Sequence, residues 1–235
     1  MSVETIVSSD PLSIPRICML SCYCPNYREM ADKTLYQNKA EYAKRWGHDL
    51  LTLTDVNPEF KDENCHVGGI TWDRLREAVK IAAAGRYDWM YLVGTDTMIT
   101  NMTIPLSSLI DDKFHFIISN DCCDWNADSF LFRCSQEGMD YMEDVMSQFE
   151  KLRHHCWVEQ QAMIELRDKY AGIWKVLPQR ALNAYDYKGC YTEGPNDKAG
   201  NDGQWQPGDF LIHWAGRPTD VRHAGIDNVW SQVIR

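Results

Sequence analysis

The stretch DWMYLVGTDTMITN, Asp88 to Asn101, decides how the fold of this chain is interpreted. Its apolar run, Trp89 to Val93, has the length and composition of a buried strand. The run breaks at Gly94, and Thr95-Asp96-Thr97 follows, so a single carboxylate comes directly after the strand. Ligands of open parallel sheets bind beyond the carboxyl ends of the strands. Asp96 is therefore the first candidate for a binding residue.

The segments before this strand alternate between strand and helix patterns. RICMLSC (Arg16–Cys22) and HDLLTLTD predict strands, and WDRLREAVKIAAAG predicts a helix with Thr71 as a candidate N-cap. Another helix lies between the two strands, with Gly47 placed to end it. The residues that share one face of that helix are Leu35, Lys39, Tyr42, Ala43 and Trp46. This alternation predicts an α/β, Rossmann-like fold with a mostly parallel central sheet flanked by helices.

The second half of the chain adds further strands and helices. KFHFIISND, SFLFRCS and WKVLPQ predict strands, QEGMDYMEDVMSQFEKL and WVEQQAMIELRDKY predict helices, and WQPGDFLIHWAG ends in a strand at His213. The segment from Tyr185 to Gln204 exceeds the usual length of a connection and is expected to form a flexible loop over the site. We predict a single domain over residues 1–235, with residues 1–15 as a loose leader.

Composition excludes several functions. With 24 Lys and Arg against 34 Asp and Glu, the net charge is −10 and no basic stripe is visible, which argues against nucleic acid as a partner. No segment approaches the roughly 20 apolar residues that span a bilayer, and the N-terminus has no signal-peptide pattern. The nine cysteines fit neither a zinc site nor a small disulfide framework. These features predict a soluble, cytoplasmic protein with reduced thiols.

His213 is the second candidate for a binding residue. Strand alternation places it with Leu211 on one side of the DFLIHWAG strand, and Gly216 follows closely, where backbone could approach a ligand. A carboxylate and an imidazole together would leave open positions on a divalent cation for diphosphate oxygens. Mn²⁺ tolerates this mixed ligation, whereas Mg²⁺ prefers oxygen. A single histidine on an apolar strand is more often a core residue, and spacing does not establish that Asp96 and His213 meet.

Other polar residues have an ordinary interpretation on sequence grounds. Glu159 and Gln160 begin a helix turn, where exposed carboxylates favour the helix dipole. Arg74 fits a surface arginine on a helix, and Arg180 and Asn183 fit turn residues. The residues alone therefore support an α/β nucleotide-type fold with a candidate Asp–His metal site, and no particular reaction.

Several blocks resemble, in order and spacing, the pattern of glycosyltransferase family 34, which contains galactosyl-, mannosyl- and xyloglucan xylosyltransferases of fungi and plants. The resemblance runs from about Ile17 to Arg217, and PQR-x-x-NAY and PGDFLIH-x-AG are its most specific parts. The blocks are QNKAEYAKRWGHDLL, TWDRLREAVKIA, YDWMYLVGTDTMITN, NADSFLFRCSQEGMDYMEDV, WVEQQAM, VLPQRALNAY and WQPGDFLIHWAG.

This resemblance implies a GT-A fold and a retaining, metal-dependent transfer from a nucleotide sugar (a UDP- or GDP-sugar) to a glycan acceptor. The implied cofactor is Mn²⁺, with Mg²⁺ as the alternative. By position, Asp96 resembles the second Asp of the family's D-x-D motif, and His213 resembles its C-terminal metal-binding histidine. Glu159 and Gln160 fall on an Asp-Gln pair at the reacting sugar. Golgi members carry a membrane anchor and stem, so we expect either a soluble bacterial or viral enzyme or a segment of a longer protein.

The resemblance also implies residues that contact the donor. They are Arg74, Gly94, Thr95, Asn126, Asp128 and Gly216. Two of these depart from the family pattern: Gly94 stands where D-x-D has its first Asp, and Asp128 stands where the family's Asn-Ala-Gly stretch has glycine. We expect solvent or Thr95 to replace the missing carboxylate, metal binding to survive more weakly, and donor preference to change. Arg217, one position before the family's usual basic residue, is expected to reach the leaving diphosphate.

Two other functions remain as alternatives. A catalytically impaired nucleotide-sugar-binding module of the same fold would explain Gly94, and a pure binder would release no free sugar from a nucleotide sugar. A nucleotidyltransferase would need a basic cradle for a triphosphate, such as a glycine-rich loop with lysine, and the sequence contains none.

Overall fold

The computed structural model describes residues 14–60, 66–121, 124–186 and 203–235. Within them lie a six-stranded sheet of order β2-β1-β3-β6-β5-β7 and a three-stranded sheet of order β4-β9-β8. The strands are β1 (Ile17–Cys22), β2 (Asp49–Leu53), β3 (Trp89–Val93), β4 (Thr97–Ile99), β5 (Phe116–Asn120), β6 (Trp125–Arg133), β7 (Trp174–Leu177), β8 (Ala184–Tyr185) and β9 (Leu211–His213).

Helices separate most of the strands, as the sequence pattern predicts. A π-helical turn, Thr34–Lys39, joins the first two of them into one continuous segment. The helices are α1 (Arg28–Lys33), α2 (Ala40–Trp46), α3 (His66–Ala83), α4 (Gln136–Ser147), α5 (Phe149–Leu152), α6 (Val158–Glu165), α7 (Gln179–Leu182) and α8 (Thr219–Trp230). Short 3₁₀ turns lie at Pro25–Tyr27, Pro58–Phe60 and Leu106–Ser108.

The large sheet is mostly parallel, with one reversed strand. Strand β1 pairs in parallel with β2 and β3, and β5 pairs in parallel with β7. Strand β6 runs antiparallel to both of its neighbours, β3 and β5. The predicted α/β fold with a mostly parallel central sheet is confirmed. The reversal of β6 matters for the site, because it places residues just after β3 beside the first half of β6.

The two large apolar cores lie on opposite faces of the sheet, because successive side chains of a strand point to opposite faces. In β3, Met90 and Leu92 belong to the core under α3, α4 and α6, whereas Trp89, Tyr91 and Val93 belong to the core on the other face. A strand that is apolar on both faces needs cover on both. The strand of the opening stretch therefore lies at the centre of the molecule.

Some boundaries differ from the prediction. The first predicted helix is interrupted by the π-helical turn, although Gly47, at φ 68°, ends it as expected. The proposal that Thr71 caps a helix is wrong, because α3 already begins at His66 and Thr71 lies inside it. Helix α6 ends at Glu165, earlier than predicted. Helix α8 was not predicted.

The π-helical turn fixes the segment that follows β3. The hydroxyl of Thr34 donates to the carbonyl oxygen of Thr95 at 2.6 Å, and the side chain of Asn38 forms two hydrogen bonds with the backbone of Ile99. The ammonium of Lys39 donates to the carbonyl oxygen of Thr97 at 2.6 Å. These contacts lie on both sides of Asp96 and hold its backbone against the helical segment.

The buried ammonium of Lys39 predicts a specific pH dependence of stability. Burial lowers the pKa of Lys39 to about 7, whereas a lysine in an unfolded chain keeps a pKa near 10.4. Between these values the unfolded chain binds a proton that the folded chain lacks, so stability should rise with pH across this window. In Lys39→Met we expect the gain in unfolding free energy from pH 7 to pH 10 to shrink by roughly 3 kcal/mol.

Urea unfolding at several pH values in EDTA measures this difference. Lys44→Met is the control, because Lys44 is an exposed lysine of the adjoining α2. If wild type and Lys39→Met gave parallel curves of stability against pH, Lys39 would not carry the depressed pKa.

Several other predictions are only partly addressed by the described residues. No helix of the described ranges has the length and apolarity needed to cross a membrane. The described cysteines, Cys18, Cys22, Cys24, Cys134 and Cys156, are free thiols, and a cytoplasmic location stays a prediction. The expected loop, Tyr185 to Gln204, lies outside the described residues except at its ends, where Tyr185 and Gln204 form a bridge. Most of the predicted leader also lies outside them.

Candidate functional site

An open cleft lies where β1 and β3 end. This is the edge at which parallel sheets bind ligands. Its lining comes from the ends of β1 and β3, from α3, from β6 and from α8. The lining residues are Cys22, Tyr23, Cys24, Tyr27, Ile70, Thr71, Arg74, Gly94, Thr95, Asp96, Asp128 and Arg222.

Asp96, Asp128 and His213 come together beside this cleft. One ligand atom from each lies within 4.8 Å of the others. His213 Nε2 is 3.6 Å from Asp96 Oδ1 and 3.5 Å from Asp128 Oδ2. Two ligands that each lie about 2.1–2.2 Å from one cation are roughly 3–4.4 Å apart. The two distances from His213 Nε2 fall within this range, and the set offers a divalent cation two oxygens and one nitrogen.

Strand pairing in the small sheet brings Asp96 to His213. Strands β4 and β9 are antiparallel, and Thr97 lies opposite His213. The backbone N–H of Trp214 donates to the carbonyl oxygen of Asp96 at 3.0 Å, which extends the pairing by one residue. Asp96 and His213 are more than one hundred residues apart in the sequence, and this short ladder brings them together.

The ring of His213 is held by two residues of the LNAY segment, Leu182 to Tyr185. Its Nδ1–H donates to Asn183 Oδ1 at 2.5 Å, and the ring of Tyr185 packs edge-on against it, with centroids 5.6 Å apart. Because Nδ1 carries the hydrogen, the lone pair of Nε2 in a neutral ring faces the two carboxylates. Asn183 follows α7 directly, as a turn residue would, but it is fully buried and its side chain contacts His213.

Arg180 links the two most specific sequence blocks. Its guanidinium donates to both carboxylate oxygens of Asp209, at 2.9 and 2.6 Å. A bidentate contact of this kind fixes the relative orientation of the two side chains as well as the distance between them. It fastens the segment that carries Asn183 to the segment that leads into β9 and His213, so Arg180 has a structural role that a turn residue would not have.

The charges of the three groups depend on one another. Burial alone would raise the pKa of Asp96, but His213 and Arg222 hold it below its ordinary value. Burial and the charge of Asp96 raise the pKa of Asp128. Burial alone would lower the pKa of His213, but Asp128 and Asp96 raise it. Two carboxylates share one imidazole here, and a cation among them would relieve their mutual repulsion.

The gap left at Gly94 is filled by a carboxylate from another strand. A Cβ atom on Gly94 would lie 1.9 Å from Asp128 Oδ2 and 2.1 Å from Asp128 Oδ1. The hydroxyl of Thr95 is engaged elsewhere, because it donates to the carbonyl oxygen of Cys22 at 2.7 Å. The expectation that solvent or Thr95 replaces the missing carboxylate is therefore wrong: Asp128 occupies that space.

Arg74 lies in the core of the site, and its interpretation as a surface arginine is wrong. Only 1% of its surface is exposed. It donates to the carbonyl oxygen of Ala127 at 3.0 Å, and its guanidinium lies 3.8 Å from carboxylate oxygens of both Asp128 and Glu159. A buried carboxylate needs a charged or hydrogen-bonding partner, and Arg74 is a partner for the buried Glu159 and for the partly buried Asp128.

Glu159 and Gln160 flank the start of β6. Glu159 is buried, contrary to the expectation of an exposed carboxylate; burial raises its pKa, and Thr71 donates to its Oε2 at 2.6 Å. Gln160 Oε1 accepts the backbone N–H of Ala127 at 3.0 Å, and Asn126 Oδ1 accepts that of Asp128, also at 3.0 Å. These contacts fix the backbone at Ala127 and Asp128. Their roles toward a donor sugar stay predictions.

Arg222 is a site residue that the sequence analysis did not identify. It lies on α8, and its Nη2 is 3.0 Å from Asp96 Oδ2. Helix α8 approaches closely because Gly225 has no side chain: a Cβ there would lie 2.1 Å from Trp214 Nε1. A signal for this helix exists in the sequence, where Pro218 precedes it and Asp220 lies in its first turn.

Two predicted residues lie slightly apart from these groups. Arg217 Nε is 3.8 Å from Asp186 Oδ1, and Arg217 is not among the residues that line the cleft. Gly216 has φ 65°, a left-handed conformation that favours glycine, and is exposed. Contacts of Arg217 with a diphosphate and of Gly216 with a donor stay predictions.

Sequence comparison identifies relatives of this chain. The family model of the galactosyl transferase GMA12/MNN10 family matches residues 109–219. An uncharacterized alpha-1,2-galactosyltransferase of Schizosaccharomyces pombe is 23% identical over 228 residues, covering 78% of this chain and 56% of that protein. The chain thus spans little more than half the length of this curated relative.

Solved structures share the fold. A glycosyltransferase involved in the glycosylation of the major capsid of PBCV-1 superposes with a TM-score of 0.69 at 15% identity, over 92% of this chain and 100% of that one. The galactosyltransferase LgtC, in complex with donor and acceptor sugar analogs, gives 0.58 at 14% identity, over 92% and 95%. GlyE of Streptococcus pneumoniae TIGR4 gives 0.57 at 12% identity, over 94% and 61%. The chain has the GT-A glycosyltransferase fold, and its residues 109–219 match the model of the galactosyl transferase GMA12/MNN10 family.

Proposed function

We propose that this protein is a metal-dependent, retaining glycosyltransferase that moves a sugar from a nucleotide sugar to a hydroxyl group of a glycan acceptor. The observation that carries the proposal is the convergence of Asp96, Asp128 and His213 beside a cleft at the carboxyl edge of the sheet. The match of residues 109–219 to the galactosyl transferase GMA12/MNN10 family supports it. So does the fold shared with LgtC, whose structure contains donor and acceptor sugar analogs.

The residues present fit a divalent cation. Asp128 Oδ2 is buried and accepts no hydrogen bond from the described residues, yet it faces His213 Nε2. Two carboxylate oxygens and one imidazole nitrogen suit Mn²⁺ better than Mg²⁺, which prefers oxygen alone. A bound cation would supply positive charge to the diphosphate of the donor. Asp96, Asp128 and His213 are the proposed ligands.

Arginine side chains would stabilise the leaving group. Arg222 reaches the cleft from α8, next to Asp96, and is placed to contact a diphosphate bound there. Fixed positive groups directed at the oxygen atoms on which charge develops lower the barrier of group transfer. Arg217, proposed for this contact from the sequence, lies nearer Asp186. A second contact from Arg217 would require its side chain to turn toward the cleft.

For the transfer step we propose attack on the face from which the diphosphate leaves. The acceptor oxygen forms a bond to the anomeric carbon as the bond from that carbon to the phosphate oxygen breaks, and the departing phosphate oxygen takes the hydroxyl proton. Gln160 would contact the donor sugar, and Glu159 would fix its hydroxyl groups. Glu159 is a poor candidate for a covalent nucleophile, because Thr71 and Arg74 already engage its two oxygens.

The experiment has two readouts on the same samples. UDP-, GDP- and TDP-sugars are screened by thermal shift with and without Mn²⁺, since a ligand that binds only the folded state raises the melting temperature. Released free sugar is then measured by chromatography. We expect one donor class to stabilise the protein only with Mn²⁺ and to be slowly hydrolysed. Stabilisation without release would indicate a binding module, and no response to any donor would contradict the proposal.

A further inference from the structure

Gly94 and Asp128 form a facing pair across two adjacent strands. Val93 pairs with Ser129 in the antiparallel β3–β6 ladder, and the backbone N–H of Gly94 donates to the carbonyl oxygen of Asp128 at 2.9 Å. Directly opposed residues of an antiparallel pair place their side chains on the same face of the sheet. The side chain of Asp128 and any side chain at position 94 would therefore enter the same space.

The distances show that the two side chains exclude each other. A Cβ atom at position 94 would lie 1.9 and 2.1 Å from the two carboxylate oxygens of Asp128 and 2.3 Å from its Cγ. Separations this short are far inside van der Waals contact. With an acidic side chain at 94, two negative charges would also meet in a buried space, where repulsion is strong. One carboxylate fits at this point of the site, and here it comes from β6.

We propose that Asp128 is the second acidic ligand of the cation site and that Gly94 is required to make room for it. The carboxylate would then be transposable: Gly94→Asp combined with Asp128→Gly would supply it from the end of β3 instead. Each single change would damage the site, by crowding in the first case and by loss of a ligand in the second. This inference rests on the proposed function, because it concerns the same cation site.

Neighbouring contacts favour a defined position for the Asp128 carboxylate. Its Oδ1 lies 3.8 Å from the guanidinium of Arg74, and its Oδ2 lies 3.5 Å from His213 Nε2. Its backbone is fixed by Asn126 and, through Ala127, by Gln160. The carboxylate thus has a positive group on one side and the imidazole on the other, which leaves Oδ2 directed at the position between Asp96 and His213.

A set of four proteins tests the transposition: wild type, Gly94→Asp, Asp128→Gly and the double variant. The measurement is binding of Mn²⁺ alone, by titration with electron paramagnetic resonance, together with the melting temperature in EDTA. We expect each single variant to lose at least about 10-fold in Mn²⁺ affinity and the double variant to recover most of it. Gly94→Asp should also melt earlier than wild type in EDTA, and the double variant should not.

Two further variants separate charge from space. Gly94→Ala with Asp128→Gly fills the same space without a carboxylate, and we expect it to bind Mn²⁺ no better than Asp128→Gly. Asp128→Asn keeps the size of the side chain, and we expect it to fold and to lose Mn²⁺ affinity even if Asp128→Gly does not fold.

The outcomes distinguish this inference from the proposed function. Wild type that binds Mn²⁺ while Asp128→Asn binds it equally well would overturn the role of Asp128. A folded double variant that binds no better than Asp128→Gly would overturn the transposition. Wild type that binds Mn²⁺ through Asp128 but hydrolyses no donor would leave this inference standing and contradict the transferase proposal. A wild type that binds no Mn²⁺ would contradict both.

Discussion

In His213→Ala and in Asp96→Ala, Mn²⁺-dependent release of sugar from the donor is expected to fall by about 100-fold or more. Each change removes one of the three ligand atoms that lie within 4.8 Å of one another. The measurement is the rate of donor hydrolysis at saturating donor over a range of Mn²⁺ concentrations. Because the effect acts through the cation, high Mn²⁺ should recover part of the rate. Unchanged rates in both variants would rule out the metal site.

Two further variants test whether the loss has the expected origin. His115→Ala is the control, because His115 precedes β5 at the opposite edge of the sheet, and it should leave hydrolysis unchanged. Asn183→Ala removes the acceptor of the His213 Nδ1–H and should weaken Mn²⁺ binding by about 10- to 100-fold. Asn183→Asp keeps an acceptor oxygen and should bind Mn²⁺ more tightly than Asn183→Ala. Equal loss in both variants would indicate a merely structural role for Asn183.

Arg74→Met is expected to cause the largest loss of stability. Arg74 and Glu159 are both buried, at 1% and 4% exposure, and the guanidinium also faces Asp128. Removing one partner of a buried ion pair costs about 3–5 kcal/mol, because the remaining charge is left without compensation. For a chain of this size that corresponds to a fall in melting temperature of roughly 10 °C. Calorimetry in EDTA measures it without a contribution from metal.

A control and a rescue variant accompany Arg74→Met. Lys80→Met removes an exposed partner of Glu77 on the same helix α3 and should cost at most about 1 kcal/mol. Arg74→Met with Glu159→Gln removes a second buried charge, so it should be more stable than Arg74→Met alone. A loss in Arg74→Met no larger than that in Lys80→Met would show that the buried carboxylates do not depend on Arg74.

Local patterns of the sequence predicted the framework correctly. Apolar runs and helical faces depend on neighbouring residues, so the β1, β3 and β5 strands and the helices around them could be placed from the chain alone. Asp96 and His213 were both identified because each lies at the end of a predicted strand. The resemblance to glycosyltransferase family 34 then predicted the GT-A fold. The family-model match agrees with the resemblance, and the solved structures agree with the fold.

Residues whose role depends on a distant partner were interpreted less well. The sequence predicts a surface position for Arg74, because helical spacing does not show that α3 packs against the carboxylates of Glu159 and Asp128. For Asn183 the sequence allows a turn residue but does not predict its contact with His213, because nothing near it in the sequence indicates that His213 will lie against it. Helix α8, with Arg222, was missed altogether, since its apolar pattern is weak and its docking depends on contact between Gly225 and Trp214.

The sequence by itself determined the alternation of the main strands and helices, the edge of the sheet at which Asp96 lies, and the absence of a carboxylate at Gly94. Only the tertiary structure decided that the carboxylate of Asp128 occupies the space left open at Gly94. The physical reason is the direction of β6: it runs antiparallel to β3, and strand direction arises from pairing between segments far apart in the chain. That pairing places Asp128 opposite Gly94, where the carboxylate of Asp128 occupies the space that a side chain at position 94 would need.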